Sequence, residues 1–598
     1  MMDKKGWLDK LFYEIGKQNH DFEVTCLSLD KPKPKWRKYL DAQADEKFIE
    51  IVNNRTIFPF EVVIDLEDPS KYEIILKRIK KDFRFYSSYR TGSRGYHTHL
   101  FFDRELSQDE KLSIINMYEG DKQKASKRTM IALENCPHWK TGNLKELVEE
   151  NFGYNSADDF DFSKEYLNFN AEPTTIEETL DVIERTFPGM AFPTECCLSF
   201  ICALLVKDLA NPLGLNLEGA PSSEKTTILD FFYGIEKLTF KSDLFTPKSF
   251  VSHAANIKEE ELKEIDLLPK IKNKVFLVPE LAPIFGKRKE DLIENLSILT
   301  RVFDGEGLET DSGSRGHRGY SGYYLFIWLG ATTPLPTHVW NVMGKLGQRF
   351  FFLKIPNKNK TNERLKEVMT DVSYRKKIKD CRSVIHNYIK HRFNNAESLF
   401  SVDWNKDKDN DELRILIVLL AKFLSSLRAP IEIYSREYSG EEYQFKIPVK
   451  EEPERVISHL YDIARGHAVA YNRNYITMDD ARVVIEVALS SCPFDRYKLL
   501  ELFVKTDKSE LDTEEIATLL NCSDRNARTI MKTMEILGLG KIKEINEEYN
   551  GRGRPTQKFF LQEEYSSLLS KLKGLRRAHN VNTSSENNFG SENDSVRK

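Results

Sequence analysis

A short turn near the middle of the chain carries the most specific chemical signal in the sequence. Residues 219–226 read GAPSSEKT, after the apolar run LGLNL and before TILDFFYG, which predicts a strand, a tight loop and the start of a helix. Such a loop cradles phosphates with its backbone N–H groups, while a Lys adds charge and a hydroxyl reaches Mg²⁺. Glu224 stands where the G-x-x-x-x-G-K-[ST] pattern has its second Gly, so an ordinary turn before a helix is the alternative. The residues expected to bind a nucleotide are Gly219, Pro221, Ser222, Ser223, Lys225 and Thr226, and Thr226 is also expected at the metal.

Composition limits the classes of protein to which the chain can belong. It has 598 residues, of which 40% are hydrophobic and 30% charged, with a formal net charge of −4. The chain can therefore bury several cores, and contacts with nucleic acid must come from local basic patches. The eight cysteines include no C-x-x-C pair, which argues against a cysteine-rich zinc site. Because the thiols are scattered and no apolar stretch is long enough to cross a bilayer, we expect a cytoplasmic protein with no membrane partner.

The order of apolar and polar segments predicts a multidomain chain of α/β and α+β type. FPFEVVIDLED, HTHLFF, KVFLVPE and YYLFIWLGATTP read as strands, KYEIILKRIKKDF reads as an amphipathic helix, and the polar stretch around 143–177 reads as a connector. The expected units are an α+β domain at 1–170, a P-loop α/β core at 178–395, a helical unit at 396–495, a compact terminal unit at 496–574 and a disordered tail at 575–598.

Polar residues at the ends of the core strands are candidates for ATP hydrolysis. Glu280 ends the run NKVFLVPE, where a carboxylate would polarise the attacking water, although Pro279 takes the position of a second metal-binding carboxylate. Thr333 ends the next buried run, where a hydroxyl can sense the γ-phosphate. Arg349 lies in the strand-like run KLGQRFFFLKIP and needs a partner, for which a neighbouring subunit's γ-phosphate is a candidate. A buried strand with a charge at its end is the alternative for the Glu280 segment.

This order of segments resembles the AAA+ ATPases, and most closely the minichromosome maintenance helicases, over about residues 180–490. That family has a P-loop of GDPGTAKS type, which also lacks Gly before the Lys, and GQRFFFL is similar to its SRFDL motif. The resemblance implies ATP and Mg²⁺ as cofactors, Arg349 as an arginine finger, Arg455 as a sensor in a helical lid, and a homo-oligomeric ring. Pro279 departs from the Asp-Glu pair of the family, a change that bears on hydrolysis more than on nucleotide binding.

A glycine-rich segment between the second and third of these strands, GLETDSGSRGHRGYSGYY, predicts a β-hairpin. Arg315, His317 and Arg318 decorate it, with Tyr320 close by. Basic side chains beside an aromatic ring suit single-stranded nucleic acid. In the helicases that the core resembles, a hairpin at this position projects into the central channel and tracks DNA. A solvated hairpin tip is the alternative.

The N-terminal domain contains a second candidate nucleotide site. Asp65 and Glu67 in VVIDLED are two residues apart and share one face of a strand, which suits a divalent metal bound with a nucleoside triphosphate. Further along, TGSRGYHTHL places Arg94 on a Gly-rich turn and His97 at the start of the next strand. Both side chains can hold triphosphate oxygens. We therefore expect Asp65, Glu67 and His97 to be catalytic and Arg94 to bind the nucleotide.

In this order the elements resemble the archaeo-eukaryotic primase and primase-polymerase fold over about residues 20–145. TGSRGYHTHL matches the S-G-x-R-G-x-H-x-h element of that family with Thr91 for Ser, and RTMIALENCPHWKTG is similar to a later element. The resemblance carries over Arg128, His138 and Lys140, the last two as phosphate contacts. KQKASK stands where the third metal carboxylate of the family is expected, and the zinc-binding knob of many such primases is missing. A degenerate module that only binds nucleotide or nucleic acid is the alternative to polymerase chemistry.

The C-terminal part has the pattern of a helix-turn-helix. TEEIATLL and RNARTIMKTMEILG predict two helices with Asp512 and Ser523 as N-caps, and KIKEI and GRGRPTQKFFL predict two strands around a basic wing. This order is similar to winged-helix domains, in which one helix enters the major groove and the wing contacts phosphates. The basic residues expected at DNA are Arg525 and Arg528 on the helix and Arg552, Arg554 and Lys558 on the wing. Protein docking is the alternative role.

The three resemblances together imply a DNA replication protein, a fused primase and helicase of archaeal, plasmid or viral type. The expected mechanism is ATP-driven translocation of a ring on single- or double-stranded DNA, with other replication proteins as further partners. Lys225, Thr226 and Glu280 would come from one subunit, and Arg349 and Arg455 from its neighbour. Two other functions stay open. One is a DNA-binding initiator or regulatory ATPase that has a degenerate primase domain and does not unwind DNA, and the other is a nucleotide sensor of a defence system.

Overall fold

The computed structural model divides the chain into two compact units, residues 1–168 and 169–598. It describes residues 4–16, 21–30, 32–126, 129–158, 160, 169, 171–235, 237–252, 259–312, 316–355, 362, 366, 373–396, 398–431, 433–434, 444–506, 508–545 and 556–586.

The N-terminal unit contains two antiparallel sheets. The strands are β1 Glu23–Thr25, β2 Arg37–Lys38, β3 Asn54–Thr56, β4 Glu61–Leu66, β5 Tyr86–Arg90, β6 Tyr96–Phe102, β7 Met130–Ala132, β8 Glu146–Asn151 and β9 Tyr154–Asn155. The helices are α1 Lys4–Lys10, α2 Tyr39–Ala42, α3 Glu46–Ile51, α4 Tyr72–Asp82 and α5 Gln108–Met117. One sheet has the order β2-β1-β3-β7 and the other β4-β6-β5-β8, with β9 parallel to β6.

The two faces of the β4-β6-β5-β8 sheet differ in chemistry because side chains alternate along a strand. One face carries Val62, Ile64 and Leu100, which pack in a common core with apolar residues of α4 and α5. The other face of β4 and β6 carries Glu61 and His99, both fully buried, among other ionisable side chains. This polar face holds the candidate residues of the unit.

The connector predicted around 143–177 is wrong at its start. Residues Glu146–Asn151 form β8, which pairs with β5 at the edge of the sheet. All of these side chains are exposed or half-buried, because an edge strand needs only backbone partners and can keep polar residues on both faces. Polar composition therefore concealed the strand. The strands over FPFEVVIDLED and HTHLFF and the helix over KYEIILKRIKKDF are confirmed.

The second unit contains the remaining elements. Its strands are β10 Leu213–Glu218, β11 Thr239–Lys241, β12 Val275–Val278, β13 Gly307–Ser312, β14 Gly316–Ser321, β15 Ile327–Thr332, β16 Phe350–Lys354, β17 Ile433–Tyr434, β18 Gln444–Phe445, β19 Glu510–Asp512, β20 Gly540–Ile545 and β21 Thr556–Leu561. Its helices are α6 Ile176–Thr186, α7 Ala191–Ala203, α8 Lys225–Phe232, α9 Glu259–Ile265, α10 Leu267–Ile271, α11 Ala282–Phe285, α12 Lys289–Val302, α13 Thr337–Leu346, α14 Tyr374–Asn395, α15 Asp411–Arg428, α16 Glu454–Ala470, α17 Ala481–Ser490, α18 Phe494–Thr506, α19 Thr513–Leu520, α20 Asp524–Ile536 and α21 Glu563–Glu586.

A five-stranded parallel sheet with the order β11-β12-β15-β10-β16 forms the centre of this unit. Continuous apolar runs in β12, β15 and β16 are buried on both faces, as expected of parallel strands covered by helices. Glu218, the last residue of β10, pairs in register with Thr332 of β15 and Lys354 of β16. The carboxyl ends of these strands therefore meet at one edge, which is where open α/β sheets bind ligands.

Residues 396–495 are mainly helical, as predicted, with a small two-stranded ribbon of β17 and β18. The terminal module places helices α19 and α20 beside a three-stranded antiparallel sheet in the order β19-β21-β20, with α18 before them and α21 after them. The predicted N-caps Asp512 and Ser523 are confirmed, since their side chains accept hydrogen bonds from Glu515 N and Asn526 N. Arg496 ties the module to the helical unit by donating to the Leu427 and Ala429 carbonyls.

The disordered tail predicted from residue 575 is wrong over its first part. Helix α21 runs from Glu563 to Glu586, because no Gly or Pro between Gly574 and Glu586 interrupts it. At its described part, Arg576 is paired with Glu486 and Glu501. Residues 587–598 lie outside the described residues.

Candidate functional site

The loop between β10 and α8 adopts two left-handed backbone turns. Ser222 has φ of +61° and Glu224, the N-cap of α8, has φ of +66°. A left-handed conformation at the Glu224 position is what the second Gly of a P-loop pattern accommodates without strain. The loop therefore has the backbone conformation of the pattern although residue 224 has a Cβ atom. Replacing the Gly of the pattern by Glu224 strains the backbone but does not change the course of the loop.

Lys225 is the first residue of α8, and its side chain reaches back into this loop. Its Nζ donates to the carbonyl oxygens of Gly219 and Ala220, at 2.9 and 2.7 Å, and to Ser223 Oγ at 3.1 Å. Burial lowers the pKa of the ammonium, and the nearby negative charge of Glu280 partly offsets this effect. A cation held at the start of a helix, among loop backbone groups, is an arrangement that attracts phosphate. Thr226 follows in the first turn of α8, with its side chain exposed.

The strand ends around the loop bring several predicted residues to one edge of the sheet. Gly219 N donates to the Thr332 carbonyl at 3.2 Å, and Thr333 follows exposed at the end of β15. Glu280 lies just beyond β12, where its Oε1 accepts from Ala282 N at 2.9 Å. The structure thus brings Lys225, Thr226, Glu280 and Thr333 to the same edge. Pro221 and Ser222 are at the exposed tip of the loop.

A buried ion pair under the loop was not foreseen. Lys354 Nζ lies 2.9 Å from Glu218 Oε2, and both side chains are buried. Burial raises the pKa of Glu218, with Lys354 acting in the opposite direction. Lys354 also lies over the rings of Trp340 and Tyr497. The only sequence signal was a charged residue at the end of each of two apolar runs.

Arg349 has a partner within its own chain, which the sequence argument did not anticipate. Its Nε and Nη2 donate to Asp304 Oδ1 at 3.2 and 3.0 Å, and its Nη1 donates to the Gly347 carbonyl. Arg349 is only 7% exposed. The prediction of an isolated arginine that needs an external partner is therefore wrong, because Asp304 already pairs with it. Burial comes first in lowering its pKa, and the charge of Arg455 adds to the effect, whereas Asp304 opposes it.

Arg455 lies beside Arg349, on the first turn of α16. A Cβ atom placed on Gly347 would lie 2.9 Å from Arg349 Nη1 and 3.6 Å from Arg455 Nη1. Unlike Arg349, Arg455 is exposed, and it makes no ion pair within the described part of the chain. The two arginines that the sequence assigned to a neighbour's nucleotide therefore form one cluster.

The β-hairpin predicted from the glycine-rich segment is confirmed. β13 and β14 pair in antiparallel register from Gly307 opposite Ser321 to Ser312 opposite Gly316. His317 is exposed, and its Nδ1 lies 3.0 Å from Asp311 Oδ1, so acidic side chains share the surface of the hairpin. Tyr320 is half-buried and donates to Asp266 Oδ2. Arg318 is half-buried, and Arg315 lies outside the described residues.

In the N-terminal unit, Asp65 lies against two basic side chains of its own chain. His97 Nε2 and Lys124 Nζ lie 3.3 and 3.2 Å from Asp65 Oδ2. Burial opposes ionisation of Asp65, but hydrogen bonds and charge from His97 and Lys124 hold its pKa well below the usual range. Burial, with help from Lys145, lowers the pKa of His97 to about 4. Lys124 belongs to the KQKASK segment, in which the family pattern requires an acid.

The expected metal pair is not assembled around Asp65. Glu67 is exposed and lies beyond the end of β4, because the strand stops at Leu66 and the shared face ends with it. Within the described residues, no three His, Cys, Asp or Glu side chains gather so that they would hold a metal ion. The ammonium group of Lys124 instead lies 3.2 Å from Asp65 Oδ2.

The turn that contains Gly92 lies against the turn at residues 138–143. A Cβ on Gly92 would lie 2.2 Å from the Asn143 carbonyl oxygen and 2.7 Å from His138 Cβ. Thr141 also donates to the Gly92 carbonyl. Burial and the charge of Lys140 lower the pKa of His138. The contact brings the turn that carries Arg94 next to the turn that carries His138 and Lys140, although Arg128 lies outside the described residues.

A fully buried charge network extends the polar face of this unit. Arg55 Nη2 lies 2.8 Å from Glu61 and 2.9 Å from Glu134. Lys145 Nζ lies 3.2 Å from Glu134, and His99 Nδ1 lies 2.7 Å from Glu61. Such a network leaves each charge with a partner, which burial requires. Sequence reasoning missed all five residues. Glu61, His99 and Glu134 lie within segments that were singled out, but their spacing along the chain does not show that they meet Arg55 and Lys145.

The terminal module exposes the predicted recognition residues. Arg525 and Arg528 lie on α20 with exposed side chains. Lys558 on β21 pairs with Glu510 at 3.1 Å. Arg552 and Arg554 lie outside the described residues. Two exposed arginines on one helix leave both DNA contact and protein docking open for this module.

The fold and the loop geometry define a class. A parallel five-stranded sheet with a phosphate-sized loop at the carboxyl end of an interior strand is consistent with a P-loop ATPase core of the AAA+ kind. None of the helices in the described ranges is long and apolar enough to span a membrane.

Comparison with known proteins gives distant similarities. A search with the sequence finds no matching family model and no matching curated protein. Similar solved structures include a presumed ATPase from Cytophaga hutchinsonii, at 16% identity and a TM-score of 0.30 over 60% of this chain and 93% of the other. Another is the SCCmec type IV Cch active helicase, at 11% and 0.27 over 68% and 73%. A third is the Aeropyrum pernix ORC1 protein in complex with DNA, at 13% and 0.17 over 67% and 93%. At these values the similarities carry no argument about function, which rests on the geometry.

Proposed function

We propose that the chain is an ATP-dependent DNA helicase of AAA+ type that acts in DNA replication as a homo-oligomeric ring. The observation that carries this proposal is that the Lys225 ammonium group contacts the loop after β10, at the sheet edge where Glu280 follows β12. A cation for the phosphates and a carboxylate for the attacking water are two of the groups that ATP hydrolysis needs from a protein.

The residues present at the loop fit ATP with Mg²⁺. The backbone of residues 219–224 turns twice through left-handed conformations, and α8 directs its N-terminus at the loop. Lys225 would hold the phosphates and Thr226 would reach the metal, which supplies charge neutralisation when bound. Thr333 would contact the γ-phosphate, and Glu280 would orient water. Pro279 supplies no second carboxylate, so we expect slow turnover in the absence of DNA.

The cluster of Arg349 and Arg455 would take the γ-phosphate of a neighbouring subunit. Arg455 is exposed and without an ion pair among the described residues, so it is free to approach an anion. Arg349 is held behind it by Asp304. A guanidinium that reaches a transferring phosphoryl group stabilises transition-state charge. DNA would be contacted by the hairpin of β13 and β14 and by Arg525 and Arg528 of α20.

The N-terminal unit fits a degenerate primase-like module better than an active one. The Asp65–Lys124 ion pair supports this reading, because a carboxylate neutralised by an ammonium group is a poor metal ligand. The neighbouring turns that carry Arg94, His138 and Lys140 retain exposed or half-buried basic groups. These side chains suit a phosphate or nucleic-acid strand, so we propose that the unit binds nucleic acid or nucleotide without making primers.

The test compares wild type with Lys225→Ala and with Lys248→Ala, a surface lysine that pairs with Glu294. We expect calorimetry with Mg²⁺ and an oligonucleotide to show ATP binding by wild type and Lys248→Ala, and none by Lys225→Ala. Strand displacement should follow the same order. Full unwinding activity in Lys225→Ala would refute the site.

The second candidate is an initiator or regulatory ATPase that assembles on DNA without unwinding it. Pro279 at the position of a metal-binding carboxylate favours this function. Measuring ATP turnover and strand displacement on the same substrate distinguishes the two. DNA-stimulated turnover with no displacement supports the initiator, and displacement supports the helicase.

A further inference from the structure

Asp304 connects the arginine cluster to the base of the β-hairpin. It lies in the turn between α12 and β13, where Oδ1 accepts two hydrogen bonds from the Arg349 guanidinium at 3.2 and 3.0 Å. The chain then passes through Gly305 and Gly307, with φ of +78° and +89°, and enters β13. One ion pair thus joins the residue preceding β16 to the residues preceding the hairpin.

The turn after Asp304 has little room to deform. A Cβ on Gly307 would lie 2.0 Å from the Tyr320 carbonyl oxygen, and one on Gly305 would lie 2.9 Å from Pro212 Cδ. Tyr324 N donates to the Gly305 carbonyl at 2.8 Å and so closes the base of the hairpin. Close-packed contacts of this kind transmit displacement rather than absorb it. A movement of the hairpin would therefore reach Asp304.

Arg349 is surrounded by other positive charges, and Asp304 is the acidic side chain that holds it in place. Arg349, Arg428 and Arg455 gather near one another and near His459, whose pKa burial and these three charges lower to about 3. Glu451 lies 3.5 Å from Arg428. Among the described residues, Asp304 is the carboxylate hydrogen-bonded to Arg349. Without its charge, Arg349 would be buried beside a like charge and would have to move.

We propose that Asp304 is a positioning residue that holds Arg349 in the cluster and couples its position to the β13–β14 hairpin. The inference rests on the proposed function, in which the hairpin contacts DNA and the cluster contacts a neighbour's nucleotide. DNA on the hairpin would then change ATP turnover through the Asp304–Arg349 pair. Coupling of this kind is a difference in free energy between two arrangements of one element.

The test measures ATP turnover by the full chain with and without a single-stranded oligonucleotide, and takes the ratio within each variant. We expect Asp304→Asn to lower this ratio at least about fivefold, the lower end of typical coupling. Asp304→Glu, which keeps the charge, should retain most of it. Glu306→Gln is the matched control, because Glu306 lies in the same turn and pairs with Arg301, which is also 3.8 Å from Asp304 Oδ2, but not with Arg349. It therefore reports any effect that Arg301 has on the turn.

The outcomes separate failure of the coupling from failure of the proposed function. Stimulation in wild type with equal ratios in Asp304→Asn and Glu306→Gln overturns the coupling and leaves the proposed function standing. No stimulation in wild type, with ATP turned over, counts against the helicase and removes the coupling with it. Thermal melting reports folding. If Asp304→Asn does not fold, Arg349→Lys takes its place, because a lysine keeps the charge but cannot make both hydrogen bonds to Asp304 Oδ1. A lowered ratio in Arg349→Lys supports the coupling, and a ratio equal to that of Glu306→Gln overturns it. Asp304→Glu keeps the negative charge. If it melts like wild type but has a ratio far below that of Glu306→Gln, the proposal is also contradicted.

Discussion

Lys124 Nζ lies 3.2 Å from the carboxylate oxygen of Asp65 that also faces His97 Nε2. The resemblance to primases implies a metal-binding acid in the segment that contains Lys124, and the structure places an ammonium group from this segment on Asp65. In this chain an ion pair therefore stands where the resemblance implies a metal site, and the difference is the charge of one residue. A substitution that reverses the charge of Lys124 tests this difference.

Lys124→Glu should give the N-terminal unit a divalent-metal site. Two carboxylates would then face each other across His97, and oxygen ligands are what Mn²⁺ and Mg²⁺ prefer. We expect Mn²⁺ to bind this variant at least about tenfold more tightly than wild type, a gain of about 1.4 kcal/mol. Electron paramagnetic resonance titration measures free Mn²⁺ directly.

Lys122→Glu is the control for general charge. Lys122 is exposed in the same short 3-10 helix, Lys122–Ala125. An equal gain in Lys122→Glu would attribute the effect to net charge, and an unchanged affinity in the double variant Asp65→Asn, Lys124→Glu would show that Asp65 is not a ligand.

Glu224→Gly should stabilise the phosphate-binding loop. Glu224 has φ of +66°, a conformation that costs a residue with a Cβ atom about 1 kcal/mol relative to Gly. Glu224→Ala is the matched variant, since it removes the same carboxylate and keeps the Cβ. We expect Gly to be more stable than Ala by about 1 kcal/mol in thermal unfolding, with ATP binding retained. Equal melting temperatures for the two variants would contradict the strained geometry.

His467 should contribute stability that is lost at high pH. Its ring nitrogens face Asp480 and, at 3.2 Å, Glu195. Burial opposes the charge, but these carboxylates raise the pKa of His467 to about 9. Because this value lies above the unfolded value of about 6.5, the contribution is fully present below pH 6.5 and disappears as pH rises through about 9.

His467→Gln should therefore cost on the order of 3 kcal/mol at pH 6 and much less at pH 9.5. Denaturant midpoints of the variant and wild type at both pH values measure the difference. His338→Gln, at an exposed position on α13, should show no such dependence. A cost for His467→Gln that stays constant with pH would mean that the imidazole is not charged in the folded protein.

Local structure followed closely from local sequence. The strand, loop and helix around Lys225, the hairpin of β13 and β14, and the caps Asp512 and Ser523 all depend on residues within a few positions of each other. Edge strand β8 was not predicted, because its pairing with β5 requires no apolar side chains. The end of α21 was not predicted either, because its polar composition was interpreted as disorder although nothing in the segment breaks a helix.

The sequence by itself determined the P-loop segment, the parallel strands around it and the basic segments that would meet phosphates, because periodicity and turn residues act over short distances along the chain. The tertiary structure alone decided which charges meet. Arg349 and Asp304 are 45 residues apart and Lys354 and Glu218 are 136 apart. Coulomb energy depends on separation and burial in space, neither of which can be seen before the chain has folded. For the same reason, only the fold could place Lys124 on Asp65.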